Sequence, residues 1–176
     1  MNRHIFIGIV IALLLVAGYF IFSNSKKNTN STIDETSLEQ SNKSSSVPQA
    51  VSKQASFVIF TNGTFRVFSA AMYHNLSDDI YIESNAPNIV KVKKAGITWN
   101  DFFSTLPFGL THDCLTTGTK ETFCTGGKGE LKFYLNGERK ESVLDQEIQN
   151  NDKLLVTFGN ESEILIKKQI DQIPNP

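Results

Sequence analysis

The chain contains few of the residues from which catalytic and metal sites are built. Its 176 residues include three histidines, two cysteines and one tryptophan. No Gly-x-Ser-x-Gly, His-Glu-x-x-His or calcium-loop pattern occurs, and its glycine-rich stretch around Lys128 lacks the spacing of a phosphate-binding loop. The net charge of -1 provides no basic field for nucleic acid. These absences favour binding over catalysis, and no cofactor and no nucleic-acid partner is expected.

The long hydrophobic run of the chain lies near its first residue, where Ile5 to Phe22 carry no charge. At helical rise, a run of about 18 residues spans about 27 Å, close to the hydrocarbon core of a bilayer. The run continues from Tyr19 past the small residues Ala17 and Gly18, which is typical of a retained anchor rather than a cleaved signal peptide. The sequence therefore predicts an N-terminal transmembrane helix within residues 1–22.

The next segment, residues 23–56, is rich in Ser, Asn, Thr and Gln and contains no aromatic residue. It cannot bury enough apolar surface to fold, and as a random coil it would hold the following domain an r.m.s. distance of ~30 Å from the membrane. Long domains are translocated largely regardless of flanking charge. We expect a single-pass protein of the cell membrane with a flexible stalk and an extracytoplasmic domain over residues 57–176.

From residue 57 onward, short apolar runs alternate with turn residues. Strands are predicted over residues 57–60, 65–68, 80–83, 89–93, 113–115, 121–124, 131–135 and 153–158. The Asn62-Gly63 turn is the strongest hairpin signal. A short helix begins after Thr98, where apolar residues recur at three- and four-residue spacing, and another helix precedes Pro174. The order predicts an α+β fold with a mostly antiparallel sheet, one short central helix and a C-terminal helix.

Several segments carry a resemblance to one family. They are the Asn-Gly hairpin, the helix start Gly-Ile-Thr from Gly96, the paired cysteines, FYLNG at Phe133 to Gly137 and NDKLLVTFG at Asn151 to Gly159. Together they resemble a family of short, membrane-anchored proteins of archaea and uncultivated bacteria whose function is not established. The resemblance covers residues 57–173. It implies a β-grasp-like order of strands, as in small ligand-binding domains.

The second predicted hairpin departs from the family pattern, which has two His-x-His pairs there that resemble a metal site. This chain has Tyr81 and Glu83 on one strand and Lys91 and Lys93 on the other. Residues two apart on a strand share a face, so these four side chains can form an ionic patch, as a degenerate form of the metal site. Lysine is a poor ligand for divalent metals at neutral pH. An ordinary solvated sheet face is the alternative interpretation.

Cys114 and Cys124 are the cysteines of the chain, and they bracket a turn-rich loop. In an oxidising compartment such a pair predicts a structural disulfide. One alternative is a reactive pair for thiol–disulfide exchange, although the spacing differs from Cys-x-x-Cys. Another is a zinc site that also uses His74 and His112, whose ring nitrogens are suitable zinc ligands.

The aromatic content indicates how the domain would act. The chain has 13 phenylalanines, and an aromatic patch left on the sheet surface would bind a partner. We therefore expect a non-catalytic binding or interaction module, held at the membrane by its N-terminal helix and open to a protein partner through its sheet. The alternatives are a thiol–disulfide exchange protein and a metal-binding domain.

Overall fold

The computed structural model describes residues 50–176. The predicted transmembrane helix over residues 1–22 and most of the predicted stalk lie outside this range. Between residues 50 and 176, no helix has the length and hydropathy needed to cross a membrane.

The described chain contains ten strands and two α-helices. The strands are β1 (Ala50–Thr61), β2 (Thr64–Phe65), β3 (Ile80–Glu83), β4 (Ala86–Lys94), β5 (Gly109–Leu110), β6 (Cys114–Thr116), β7 (Thr122–Cys124), β8 (Glu130–Leu135), β9 (Glu138–Arg139) and β10 (Lys153–Gly159). The helices are α1 (Trp99–Thr105) and α2 (Glu163–Ile170), and single 3₁₀ turns lie at Ala71–Tyr73 and Val143–Asp145.

Seven strands form the main sheet, in the order β3-β4-β1-β10-β8-β9, with β2 paired to the end of β1. The central strands β1 and β10 run parallel, and the other pairs are antiparallel. Strands β5, β6 and β7 form a separate small sheet. The predicted α+β fold with a mostly antiparallel sheet and two helices is confirmed.

Helix α1 begins where the sequence predicts, because a capping box fixes its first turn. The Thr98 hydroxyl accepts a hydrogen bond from the backbone N–H of Asp101, and the Asp101 carboxylate accepts one from the backbone N–H of Thr98. Two backbone donors without helical partners are satisfied in this way. The helix then buries Trp99, Phe102 and Phe103 against the main sheet.

The predicted boundary between stalk and domain, at residues 56 and 57, is too late. Strand β1 already begins at Ala50, and its first half pairs with β4 through Lys53↔Val92 and Ala55↔Val90. Ala55 is fully buried. Residues 50–56 have a polar composition that resembles a stalk, but a partner strand distant in sequence supplies the hydrogen bonds that make them a strand.

Both faces of the main sheet are covered, since successive side chains of a strand point to opposite sides. The face under α1 and the small sheet carries an aromatic cluster of Phe57, Phe68, Trp99, Phe102, Phe103 and Phe123. The face under α2 carries a smaller apolar cluster of Val58, Phe60, Tyr134, Leu155, Ile166 and Ile173. The sequence-based inference that β1 is covered on both sides agrees with this arrangement.

Candidate functional site

Cys114 and Cys124 form a disulfide, as predicted. They lie directly opposite each other on β6 and β7, with their Cα atoms 4.1 Å apart. Cys124 is exposed and Cys114 is half-buried. Both lie on strands rather than at a helix N-terminus, where a reactive thiolate would be stabilised. In this state the pair is a covalent link across the small sheet.

The structure brings Tyr81, Glu83, Lys91 and Lys93 together on the hairpin of β3 and β4. Lys91 Nζ donates a hydrogen bond to Glu83 Oε2 at 2.7 Å, and Lys93 Nζ lies 4.9 Å from the centre of the Tyr81 ring. The pKa of Lys93 is raised, and the largest cause is its side-chain contact with the Tyr81 hydroxyl. The Lys91 and Glu83 side chains are 34% and 30% exposed, so this pair contributes little to stability.

Two further ion pairs involve β1 and β4, and sequence reasoning missed both. Lys53 Nζ donates to Glu147 Oε1 at 2.8 Å, and Lys94 Nζ lies 3.1 Å from Asp79 Oδ2. Two hydrogen bonds lower the pKa of Glu147. The one from Lys53 has the largest effect, and the one from the backbone N–H of Gly96 comes second. The Lys53 and Glu147 partners are distant in sequence, and no local pattern identifies them.

The two histidines of the domain contact different groups. His74 Nε2 is 2.8 Å from the backbone oxygen of Phe68, and His112 Nε2 is 3.3 Å from Asp145 Oδ2. Among residues 50–176, no group of three or more His, Cys, Asp or Glu side chains is arranged to hold a metal ion. The cysteines that the zinc alternative requires are joined in the disulfide.

An apolar groove with a volume of about 420 Å³ lies between the chain that follows β2 and the small sheet. We name it the aromatic groove. Its lining residues are Ile59, Phe65, Arg66, Val67, Phe68, Met72, Tyr73, Phe108, Leu115, Thr117, Gly118 and Thr119. Phe68 is buried, and its ring contacts those of Tyr73 and Phe108 at centroid distances of 5.2 and 5.9 Å. Val67 and Met72 are 63% and 54% exposed at the rim.

The charge that lines the aromatic groove is already neutralised. Arg66 is the charged member of the lining. Its Nε donates to Thr61 Oγ1 at 2.6 Å, its Nη2 lies 3.6 Å from Glu121 Oε2, and its guanidinium lies 5.3 Å from the centre of the Phe123 ring. Pockets of this size, with aromatic walls and few polar groups, are typical of sites for apolar ligands.

Comparisons with protein-family models, curated proteins and solved structures give no match to this chain. The chemistry of residues 50–176 is therefore what indicates a function. A second cleft is lined mostly by ionisable residues, among them His112, Lys132 and Lys140. Two other charged residues of this cleft, Arg139 and Glu130, form an ion pair with each other. The aromatic groove is thus the surface whose lining is best suited to bind an apolar partner.

Sequence reasoning missed the aromatic groove as a site. It assigned residues 65–68 to the second strand of a hairpin, which would place them inside a sheet. The structure ends β2 at Phe65 and leaves Val67 exposed. The sequence did contain one signal. Val67, Met72 and Leu76 are large apolar residues, and no Asp, Glu, Lys or Arg occurs between Arg66 and Asp78.

Proposed function

We propose that this chain is a single-pass, membrane-anchored protein whose C-terminal domain acts outside the cytoplasm as a non-catalytic binding or interaction module. The observation that carries the proposal is the aromatic groove, with its neutralised arginine and its exposed apolar rim. Large apolar side chains that remain exposed beside a preformed pocket are typical of interaction surfaces. Most of the lining lies in the chain that follows β2 and in the loop that follows β6, so a protein partner would bind beside the two sheets rather than on a sheet face.

The extracytoplasmic location is supported by the disulfide and by the apolar run of Ile5 to Phe22. Disulfides persist in oxidising compartments and are rare in most cytosolic proteins. A helix over residues 1–22 would anchor the chain in the cell membrane, and the polar residues that follow would separate the domain from the lipid. Both features favour the same topology, although each rests on a different physical property.

We also infer that the domain has a β-grasp-like fold. The observed strand order supports this, because β4, β1, β10, β8 and β9 lie side by side with a parallel central pair. Helix α1 follows β4 in the chain and packs over one face of that sheet. The resemblance of the sequence implies the same order. Fold alone does not assign a ligand, so the function is argued from the groove.

Thiol–disulfide exchange is a second candidate, favoured by one observation, the exposure of Cys124. The reduction potential distinguishes the two roles. A structural disulfide should have a potential below about -300 mV, whereas a catalytic pair should titrate nearer -200 mV. Titration of the full chain against glutathione and dithiothreitol buffers, with mass spectrometry of alkylated thiols, would measure it. A value near -200 mV would replace the binding proposal with the redox one.

Site-specific photo-crosslinking in cells tests the binding proposal. A photoreactive phenylalanine would replace Met72 at the groove rim in the full chain, and Ile164 on α2 in a matched control. Ile164 is 71% exposed and lies outside the groove, so it reports non-specific collisions. We expect a discrete protein adduct from Met72 that is absent from Ile164. Equal labelling from both positions, or no adduct from Met72, would contradict the proposal.

The topology needs its own measurement. A short epitope tag placed after Pro176 should be removed by protease added to intact cells whose wall has been permeabilised. A cytoplasmic reporter protein in the same cells should survive the treatment. Protection of the tag until the membrane is lysed would place the domain in the cytoplasm and overturn the proposed location.

A further inference from the structure

The chain that borders the aromatic groove has backbone groups without partners. The last ladder hydrogen bond beyond β2 runs from the backbone N–H of Arg66 to the oxygen of Ile59 at 2.8 Å. Within residues 50–176, neither backbone group of Val67 or Ser69 joins a backbone hydrogen bond, and both residues are exposed. Between them, the oxygen of Phe68 is bonded to His74 Nε2. These residues follow β2 and belong to no strand of the sheet, and we name this exposed, unpaired stretch the open edge, because another strand can add to such groups.

The side chains along this open edge alternate as in a strand. Val67 is exposed, Phe68 is 4% exposed and Ser69 is exposed. The Phe68 ring lies 5.0 Å from that of Phe57, so core packing holds this wall of the groove in place. A strand that adds to an edge is held by main-chain hydrogen bonds and is selected by the pockets that receive its side chains. An open edge and an aromatic pocket therefore lie side by side here.

The charge of the groove restricts what can enter it. Arg66 donates one hydrogen bond to Thr61 and has Glu121 beside it at 3.6 Å, so these two charges give the groove no net formal charge. A charged side chain placed against the aromatic walls would lose hydration in a groove that has no net charge to compensate it, which is unfavourable. The complementary ligand is therefore an uncharged segment with large apolar side chains.

The aromatic groove and the residue at which the chain enters the described domain lie towards opposite ends of β1. The undescribed residues join the domain at Ala50, the first residue of β1, whereas the groove includes Ile59 near the other end of the same strand. At about 3.3 Å per residue, these points are separated by about 30 Å. Acyl chains cannot hydrogen-bond to the unpaired backbone groups of Val67 and Ser69, whereas a polypeptide strand can, so the groove fits a protein segment rather than lipid.

We propose that the aromatic groove binds an uncharged, extended segment of another protein, which adds as a strand along Val67–Ser69 and packs an apolar side chain against the rings of Phe68, Tyr73 and Phe108. This inference rests on the proposed function and names the chemistry of the partner. The hydrogen bonds along Val67–Ser69 supply affinity that does not depend on sequence. The aromatic walls supply the preference for large apolar residues.

Selection from a random nonapeptide library tests the inference. The full chain would be reconstituted in lipid nanodiscs and used to select peptides, with empty nanodiscs as the background. We expect enrichment of uncharged peptides with large apolar residues at alternate positions. N-methylation of the best peptide at alternate residues should weaken its binding by about tenfold or more, because each methyl group removes a main-chain donor. N-methylation at the intervening residues should have little effect.

Three variants locate the bound peptide. Val67→Glu and Met72→Glu should each weaken binding by about tenfold, because they place a charge at the groove rim. Ile164→Glu makes the same change at an exposed apolar residue of α2 and should leave binding unchanged. Far-ultraviolet circular dichroism melts of all three would show whether each variant is folded. Because Val67 and Met72 are exposed, we expect melting temperatures close to that of the unchanged protein.

Four outcomes would overturn the inference. They are no enriched peptide, equal losses for Met72→Glu and Ile164→Glu, insensitivity to N-methylation, and binding that requires charged peptides.

Dimerisation of the full chain that Met72→Glu abolishes would assign the groove to a second copy. Binding to phosphatidylglycerol vesicles that the same variant abolishes would assign it to lipid. If Met72 still crosslinks a protein in cells while strand addition fails, the binding module stands; if Met72 captures nothing, the proposed function itself is wrong.

Discussion

The face of the main sheet under α1 and the face under α2 are built from alternate residues of the same strands, yet they bury different chemistry. Under α1, Phe57 belongs to a continuous cluster of aromatic rings. Under α2, the same strands bury Ser56 and Thr157 at 0% exposure, and α2 adds Gln169 at 5%. The side-chain oxygens of these three residues have no hydrogen-bond partner among residues 50–176.

The difference shows which face holds the domain together. Burying a polar group without a hydrogen bond costs about 1–3 kcal/mol, which offsets part of the gain from burying Val58 or Leu155 beside it. The α1 face has one comparable atom, Trp99 Nε1, within a much larger apolar cluster. We therefore expect the α1 face to provide most of the stability. That face also supplies Phe68 to the aromatic groove, so a rigid core supports the proposed binding surface.

Matched substitutions on β1 give the largest expected effect and compare the faces directly. Phe57→Ala should lower the free energy of unfolding by about 5 kcal/mol and Phe60→Ala by about 3 kcal/mol. The Phe57 ring contacts those of Phe68 and Phe102 at 5.0 and 5.1 Å, whereas Phe60 contacts the partly buried Phe65 at 5.3 Å. Urea denaturation followed by circular dichroism measures both. Equal losses would show that the two faces contribute equally.

A buried ion pair beside the α2 face gives the next largest effect. Lys132 Nζ lies 3.6 Å from Glu161 Oε2, and both side chains are 8% exposed. Lys132→Met should cost about 3 kcal/mol, because it leaves a buried carboxylate without its counter-ion. Adding Glu161→Gln should recover most of that loss. A double-mutant cycle by urea denaturation measures the coupling. If the double variant is no more stable than Lys132→Met, the ion pair is not the cause.

The disulfide should contribute less than either core. Replacing Cys114 and Cys124 together with alanine should lower the free energy of unfolding by about 2–3 kcal/mol, because the closed loop between them is short. The unchanged protein unfolded in the presence of reductant is the control and should show the same loss. A double variant as stable as the oxidised protein would mean that packing under α1, rather than the covalent link, holds the small sheet.

The smallest expected effect is a pH dependence at the ion pair of Lys53 and Glu147. The hydrogen bond from Lys53 lowers the pKa of Glu147 below its ordinary value of 4.5. A carboxyl group whose pKa is lower in the folded state stabilises the protein at pH values above its unfolded-state pKa. This stabilisation is lost as the pH falls through the folded-state pKa. The unchanged protein should therefore melt slightly above Glu147→Gln at about pH 6, and the two should converge at about pH 3. A difference that persists at pH 3 would assign the effect to packing.

Elements that depend on neighbouring residues were predicted correctly. The capping box of Thr98 and Asp101 marks the start of α1 in the sequence because its hydrogen bonds join residues three apart. The Asn62-Gly63 turn is equally local, since both residues adopt positive φ angles, 49° and 75°, that asparagine and glycine tolerate. The disulfide was predicted from the number and spacing of the cysteines.

Features that depend on distant residues were missed. The start of β1 at Ala50 depends on pairing with β4, and the early end of β2 depends on how the chain crosses towards the small sheet. The aromatic groove draws its walls from Phe68, Phe108 and Leu115, which are far apart in the chain. No single window of sequence contains all of its lining.

The sequence by itself determined the α+β class, the position of α1, the Asn-Gly hairpin and the pairing of Cys114 with Cys124. Each of these follows from local hydrogen bonds, hydrophobic periodicity or the count of one residue type. The parallel pairing of β1 with β10, the open edge at Val67–Ser69 and the aromatic groove were decided by the tertiary structure. These features arise because long-range strand pairing determines which apolar side chains are covered and which backbone groups remain without a partner.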